Sequence, residues 1–254
     1  MEKTEVKNQE TSSTKPNKQE DDEDIVCLDG SFFVNDDYKL TTFTFGSQVL
    51  ELYCLQSAST DFDLTGQLVW PGAILLNNYL SKNANILQGC SVLELGSGVG
   101  VTGILCSRFC KKIVMTDHND EVIKIMQMNI DHHQDSEECG ELQVAKLEWG
   151  DFEQMDSILL KNPEGFDLIL GADICFQQKS VPLLFDTVKY IFSLNTQREC
   201  KFILGYVSRT KVMDAMVVTE AIRHGFQINE VDGARAIVHN LEGVVYEITL
   251  SSTS

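Results

Sequence analysis

The sequence predicts an α/β fold: a doubly wound, mostly parallel seven-stranded sheet with an antiparallel C-terminal hairpin, preceded by a short N-terminal β-hairpin. Two patterns carry this. From Cys90 onward, short apolar runs alternate with stretches of helical periodicity, which is how β-α units read in sequence. Several of these runs are apolar almost without interruption, as strands are when helices cover both faces of a sheet.

Taken in order, residues 1–24 have almost no apolar side chain to bury and carry four Lys against eight Asp or Glu, so they are expected to form a disordered acidic tail. The remaining residues, 25–254, make one domain. In "TTFTFGSQVLELYCL" (Thr41–Leu55) apolar residues alternate with period two around a Gly-Ser turn, which reads as the first hairpin. Pro71 then opens a helix, where its missing N–H costs nothing, and Leu75 with Tyr79 and Leu76 with Leu80 share one face. The strand-like runs that follow are "SVLEL", "KIVMTD", "LQVAKLEW", "FDLILGADI" and "KFILGYV". Helices are expected around Val101–Phe109, Asn119–Ile130, Phe152–Leu160, Val181–Leu194 and Lys211–His224. Between "FQINEVDG" and "GVVYEITLSS" there is no helical stretch, hence the closing hairpin.

Composition narrows the function classes. The formal net charge is −18, and the domain without its tail still carries −14, which argues against a nucleic-acid partner. An acidic surface fits a basic protein substrate, and equally a simple solubility role. No apolar run approaches the roughly 20 residues of a membrane span, and the N-terminus lacks the apolar core of a signal peptide. The expected location is the cytoplasm, with the nucleus also open to it. Eight cysteines without a C-x-x-C pair read as reduced thiols, with no metal site.

In a sheet of this kind ligands bind beyond the carboxyl ends of the strands, near the topological switch point. The first strand of the alternating series ends in Glu94-Leu95-Gly96-Ser97-Gly98-Val99-Gly100, a turn whose glycines let the backbone approach a ligand. From Gly98 it also spells G-x-G-x-x-G, a dinucleotide pattern, but that register leaves two surplus residues after the strand. Starting at Gly96 instead puts Val101 where the third glycine belongs. Glu94 would be repelled by a pyrophosphate and could help hold a cationic amino acid. Asp117, ending "KIVMTD", is placed to accept bonds from both hydroxyls of a ribose; His118 beside it reads as a loop residue, and Asn119 or Asp120 as a helix cap. Trp149 reads equally as a flat surface for an adenine ring or as core. Gly171-Ala172 permits close approach, and Asp173 stands at the mouth after an apolar run, where a carboxylate needs partners.

Together, "LVWPGAILLNNYL", "VLELGSGVGVTGI", "VMTDHNDEVIKIMQMNI", "KLEWGD", "LILGADICF" and "YVSR" resemble the seven-β-strand S-adenosylmethionine-dependent methyltransferases, in particular their methyltransferase-like protein-lysine subgroup, family 16. The resemblance implies S-adenosylmethionine as cofactor and a protein substrate, such as a basic protein or one of the chaperone or translation type, methylated by a monomer. It implies that Trp70 lines the pocket and that Gly96, Ser97 and Gly98 take the methionine end. Asp117 would then hold the ribose, Trp149 border the adenine and Ala172 lie against the nucleoside. Asp173 and Phe176 would form the acceptor side as catalytic residues, Asp173 orienting an amine and Phe176 walling its stem. Phe176 stands where the family's D-x-x-Y element carries a tyrosine, and Trp70-Pro71 replaces the Trp-Asp of several lysine-specific members. That combination also resembles a relative linked to histone arginine methylation. Lysine is the expected acceptor; arginine, a small molecule, or a non-catalytic scaffold are the alternatives, with a dinucleotide-dependent oxidoreductase as the rival outside the class.

Overall fold

The computed structural model describes residues 38–56, 62–133, 139–194 and 199–251, all within one compact unit that spans 35–254. The tail expected over residues 1–24 lies outside the described residues. Strands β1 (Lys39–Phe45) and β2 (Gln48–Cys54) pair antiparallel in a separate two-stranded sheet. Gly46 at φ 62° makes their turn, as the Gly-Ser pair predicted.

Helix α1 (Pro71–Lys82) leads into the alternating series: β3 (Ser91–Leu95), α2 (Val101–Ser107), β4 (Lys112–Asp117), α3 (Asp120–His133), β5 (Glu141–Lys146), α4 (Phe152–Lys161), β6 (Leu168–Ala172), α5 (Ser180–Leu194), β7 (Lys201–Val207) and α6 (Lys211–Arg223). Strands β8 (Phe226–Glu230), β9 (Ala236–Val238) and β10 (Leu241–Leu250) close the chain. The main sheet runs β5-β4-β3-β6-β7-β10-β8, parallel from β5 to β7, with β10 inserted antiparallel between β7 and β8. These seven strands are those the sequence predicts. The tight turn, however, does not join β8 to β10. It joins β10 to the short β9 through His239 and Asn240, both at positive φ (49° and 65°), a pair that serves in place of glycine because their short polar side chains tolerate that region.

Two apolar layers flank the sheet. One joins α1, α2, α3 and the β1–β2 hairpin around Leu76, Leu80, Ile104, Leu105 and Met126; the other joins α4, α5 and α6 around Leu93, Phe166, Phe185, Val188 and Val217. The hairpin is held by Asn129, fully buried in the apolar face of α3. Its Oδ1 accepts the Tyr53 N–H at 2.7 Å, and its Nδ2 donates to the Tyr53 carbonyl at 3.0 Å and to the Val99 carbonyl at 2.9 Å. One amide thereby ties the hairpin, α3 and the turn after β3. At the other end of the hairpin, Arg108 donates to Gln48 at 2.7 Å and to the Val49 carbonyl at 2.9 Å.

Replacing Asn129 by alanine leaves buried backbone groups without partners, and each such group costs about 1–3 kcal/mol. We expect Asn129→Ala to lower the unfolding free energy by about 2–4 kcal/mol in urea titrations. A loss within the range of an exposed substitution, under about 0.5 kcal/mol, would show that the hairpin is not anchored there.

Candidate active site

Strand order reverses at β3: the chain proceeds outward to β4 and β5, then crosses back to β6 on the other side. Over this switch point lies a cavity of about 360 Å³, lined from the ends of β3 (Glu94, Gly96–Val99, Val101, Thr102), β4 (Asp117, His118), β5 (Leu147–Trp149) and β6 (Ala172–Ile174), and from the segment before α1 (Thr65, Gly66, Leu68, Trp70). All ten residues predicted for the site, Trp70, Glu94, Gly96, Ser97, Gly98, Asp117, Trp149, Ala172, Asp173 and Phe176, line it.

The turn after β3 is built by glycine. Gly96, Gly98 and Gly100 have φ of 63°, 55° and 87°, a region that L side chains rarely adopt. A Cβ on Gly98 would stand 2.7 Å from the Gly66 carbonyl oxygen, so the turn passes close beneath the segment before α1. Ser97 is spent on the scaffold: its N–H donates to the Thr116 carbonyl at 2.8 Å, and its hydroxyl accepts the Thr116 N–H at 3.1 Å. Gly103 has a separate task. A Cβ there would lie 1.9 Å from Met115 Sδ, so the close approach of helix to strand comes from Gly103 rather than at Val101, the position the shifted register assigns to it. The third glycine of the literal G-x-G-x-x-G is thus a packing residue, and the turn itself begins at Gly96.

Glu94 sits beneath this turn, 1 % exposed, and its Oε2 has no hydrogen-bond partner. The hydroxyl of Thr102, also cavity-lining and fully buried, likewise has none. Burial pushes the Glu94 carboxyl up to about 8; the neighbouring donors of Ser97, Thr102 and Gly103 pull the other way, and the charge of Asp117 adds to the push. A cavity-lining carboxyl with one oxygen left without a close partner can complement a ligand's ammonium group. Asp117 is already engaged on one side: Oδ2 accepts the Gly98 N–H at 3.1 Å and Oδ1 the Asn119 N–H at 3.2 Å. His118 Nδ1 stands 3.3 Å from Oδ1, while Oδ2 keeps a second lone pair for a ligand hydroxyl. Asn119 is the helix cap, its Oδ1 accepting from Glu121 and Val122.

Trp149 satisfies both of its readings. It packs against the layer of α4, α5 and α6 and also lines the cavity, its ring edge 3.4 Å from where a Cβ of Gly96 would be. Gly150, at φ 89°, lets this corner close on α5, where its N–H donates to Thr187 at 2.9 Å.

On the β6 side the arrangement departs from the expectation of a carboxylate waiting for an acceptor. Asp173 has a buried side chain and a left-handed backbone, φ 60°. Arg209 grips it in a fork, NH1 to Oδ1 at 2.6 Å and NH2 to Oδ2 at 2.8 Å, and Oδ2 also accepts the Gly72 N–H at 2.9 Å. Trp70, the residue before α1, offers no side-chain cap, so Asp173 caps that helix from another strand. Gly72 permits this, since a Cβ there would meet Asp173 Cβ at 2.6 Å. The Arg209 guanidinium also lies over the Trp70 ring, 5.7 Å from its centroid, while the Trp70 indole N–H donates to the Thr65 carbonyl at 2.7 Å. Phe176 completes this side, 41 % exposed at the rim. Arg209 falls in "YVSR" and has no predicted role. The available signal was an arginine just past the end of one strand and an aspartate just past the end of another.

Among the described residues the acids Glu94, Asp117, Glu148 and Asp173 line the cavity, and His118 is the one basic side chain that does; no Lys or Arg joins it. Such a lining repels a diphosphate and suits a ligand that is cationic or rich in donors. The geometry therefore fits S-adenosylmethionine, with Glu94 at the ammonium, Asp117 at the ribose and Trp149 beside the base.

Comparison with known proteins agrees. The sequence model of one protein family, described as lysine methyltransferase, matches residues 51–217. The mouse protein N-lysine methyltransferase METTL21A is 28% identical over 159 residues, covering 62% of this chain and 67% of the relative. The Xenopus tropicalis EEF1A lysine methyltransferase 3 is 32% identical over 123 residues, 48% of this chain and 51% of that protein. The mouse histone-arginine methyltransferase METTL23 is 30% identical over 136 residues, 51% and 49% of the two chains. The match thus spans from about half to two thirds of these relatives' own lengths.

The Glu94 carboxyl makes a paired prediction. Its folded-state value of about 8 lies above the ordinary 4.5, so the folded state keeps a proton that the unfolded chain gives up, and stability falls as pH rises between those values. Glu94→Gln removes that loss: its stability relative to the parent should rise from about pH 5 to about pH 8 in urea midpoints. The same variant should bind S-adenosylhomocysteine about tenfold more weakly by calorimetry, for want of a charge opposite the ammonium. A parallel pH dependence in parent and variant would contradict the assignment.

Proposed function

The chain belongs to the lysine methyltransferase family, and on that premise we propose that it transfers a methyl group from S-adenosylmethionine to a lysine side chain of a protein. The observation that carries the reading is a cavity lined by the acids Glu94, Asp117, Glu148 and Asp173, with no Lys or Arg in the lining among the described residues. When bound, S-adenosylmethionine supplies a methyl carried by a sulfonium and already reactive toward nucleophiles. The protein's share is therefore alignment and exclusion of water, and no nucleophilic Ser or Cys is called for.

In this reading the Gly96–Gly98 turn and Glu94 hold the amino-acid end, Asp117 the ribose and Trp149 the adenine. Trp70 and Phe176 wall the opening through which the acceptor stem enters, and aromatic walls suit a chain of methylene groups. A low-dielectric opening also disfavours the charged ammonium, so the lysine arrives there with its lone pair available.

Two measurements test this. Calorimetry should find S-adenosylhomocysteine bound at least about a hundredfold more tightly than NADH, a difference of roughly 2.7 kcal/mol. Incubation of cell extract with the protein and methyl-labelled S-adenosylmethionine should then label protein, identified by mass spectrometry. Tighter NADH binding would return the site to the dinucleotide class. Cofactor binding with label only in metabolites would overturn the protein substrate, and cofactor binding with no label at all would favour a scaffold.

A further inference from the structure

Four carboxylates line the cavity, but they are not spread evenly around it. Glu94 lies in β3, Asp117 ends β4 and Glu148 follows β5, the strands on one side of β6 in the sheet. Asp173 follows β6, three residues before Phe176, and is bound by the Arg209 that lies over the Trp70 ring. The Asp173 side chain is 1% exposed and its charge is paired: each oxygen accepts from Arg209, and Oδ2 accepts the Gly72 N–H as well. Phe176 has no hydroxyl. The opening where an acceptor would enter thus presents aromatic surface and a carboxylate already neutralised by a guanidinium.

We propose that Arg209 determines which acceptor this site takes: by occupying Asp173 it leaves no free carboxylate at the opening, so that the site accepts an amine and rejects a guanidinium. The inference rests on the methyltransferase reading above. The two acceptor chemistries differ in what they need. A lysine ammonium can surrender its proton to water as it is desolvated, leaving a nucleophilic lone pair. An arginine side chain stays protonated up to a pKa above 12, so it needs a free carboxylate both to hold the cation and to receive a proton. Here Asp173 is buried and its charge is paired with Arg209, so it offers an entering cation no unpaired negative charge. A free Asp173 would act in the opposite sense, stabilising the lysine ammonium and delaying loss of its proton. Arg209 does not line the cavity, so its part is that of a positioning residue acting through Asp173 and Trp70.

The test uses the full chain, cell extract and methyl-labelled S-adenosylmethionine, with labelled protein hydrolysed to amino acids. The parent should place label in methyl-lysine and none in methylarginine. Arg209→Met keeps the stem and frees Asp173: lysine labelling near neutral pH should fall about tenfold, and its pH profile should move about one unit to the alkaline side. Adding Asp173→Asn to Arg209→Met removes the freed charge and should return the profile to the parent's position. Arg209→Lys keeps the charge and should leave the profile where it was. All variants should bind S-adenosylhomocysteine within about threefold of the parent by calorimetry, which also reports that they are folded. Methylarginine from the parent, or a loss in Arg209→Met without a pH shift, would overturn the proposal while leaving the methyltransferase reading intact. Cofactor binding without any labelled protein would remove both.

Discussion

The Asp173 carboxylate is the point on which the acceptor side of this molecule depends. It follows β6 in a left-handed conformation, caps α1 through Gly72 and is gripped by Arg209 from beyond β7. Three elements far apart in sequence are fastened there. A buried carboxylate without such partners would be costly, and breaking a buried pair by removing one member typically costs about 3–5 kcal/mol. Part of Arg209 remains in solvent, at 30% side-chain exposure, which moderates that figure and leaves its charge felt at the opening. The backbone strain is tolerated because aspartate is among the few side chains that visit positive φ. The position of Trp70, immediately before the capped helix and under the guanidinium, follows from the same contact.

On the other side of β3 the governing constraint is the reverse: a carboxyl with an unmet need. Glu94 is buried without a counter-charge, and its raised value follows from that isolation. Glu94 and Asp173 therefore illustrate two solutions for an acid in an apolar setting. One is paired within the protein and structural, the other is left open toward the cavity. Asp117 lies between them in character, since it braces the glycine turn while keeping a lone pair to offer. In the proposed reading, cofactor recognition falls to β3, β4 and β5, and acceptor recognition to β6, the segment before α1 and the residues beyond β7.

Much of this was legible in the residues. Period-two alternation and apolar runs located the strands, because side chains of a strand alternate between faces and those of a doubly covered strand need not. The site residues that follow the strands stand together because strand ends in such a sheet converge on one edge, a consequence of topology that needs no knowledge of distant contacts; Trp70, before α1, was expected there from the family resemblance. Other features were not legible. The packing role of Gly103 depends on which side chain, Met115, faces it across the layer. The His239-Asn240 turn carries no glycine, so a reading tuned to glycine passes over it. Asn129 reads as an ordinary polar residue of a helix until the hairpin backbone is seen to end on its amide.

The sequence by itself determined the layered architecture, the glycine turn and the set of side chains at the strand ends, since these follow from local periodicity and from backbone freedom. Only the tertiary structure decided what those side chains have left to offer. A carboxylate is free or occupied according to its neighbours in space, and the partner of Asp173 lies 36 residues further along the chain, just past the carboxyl end of the adjacent parallel strand.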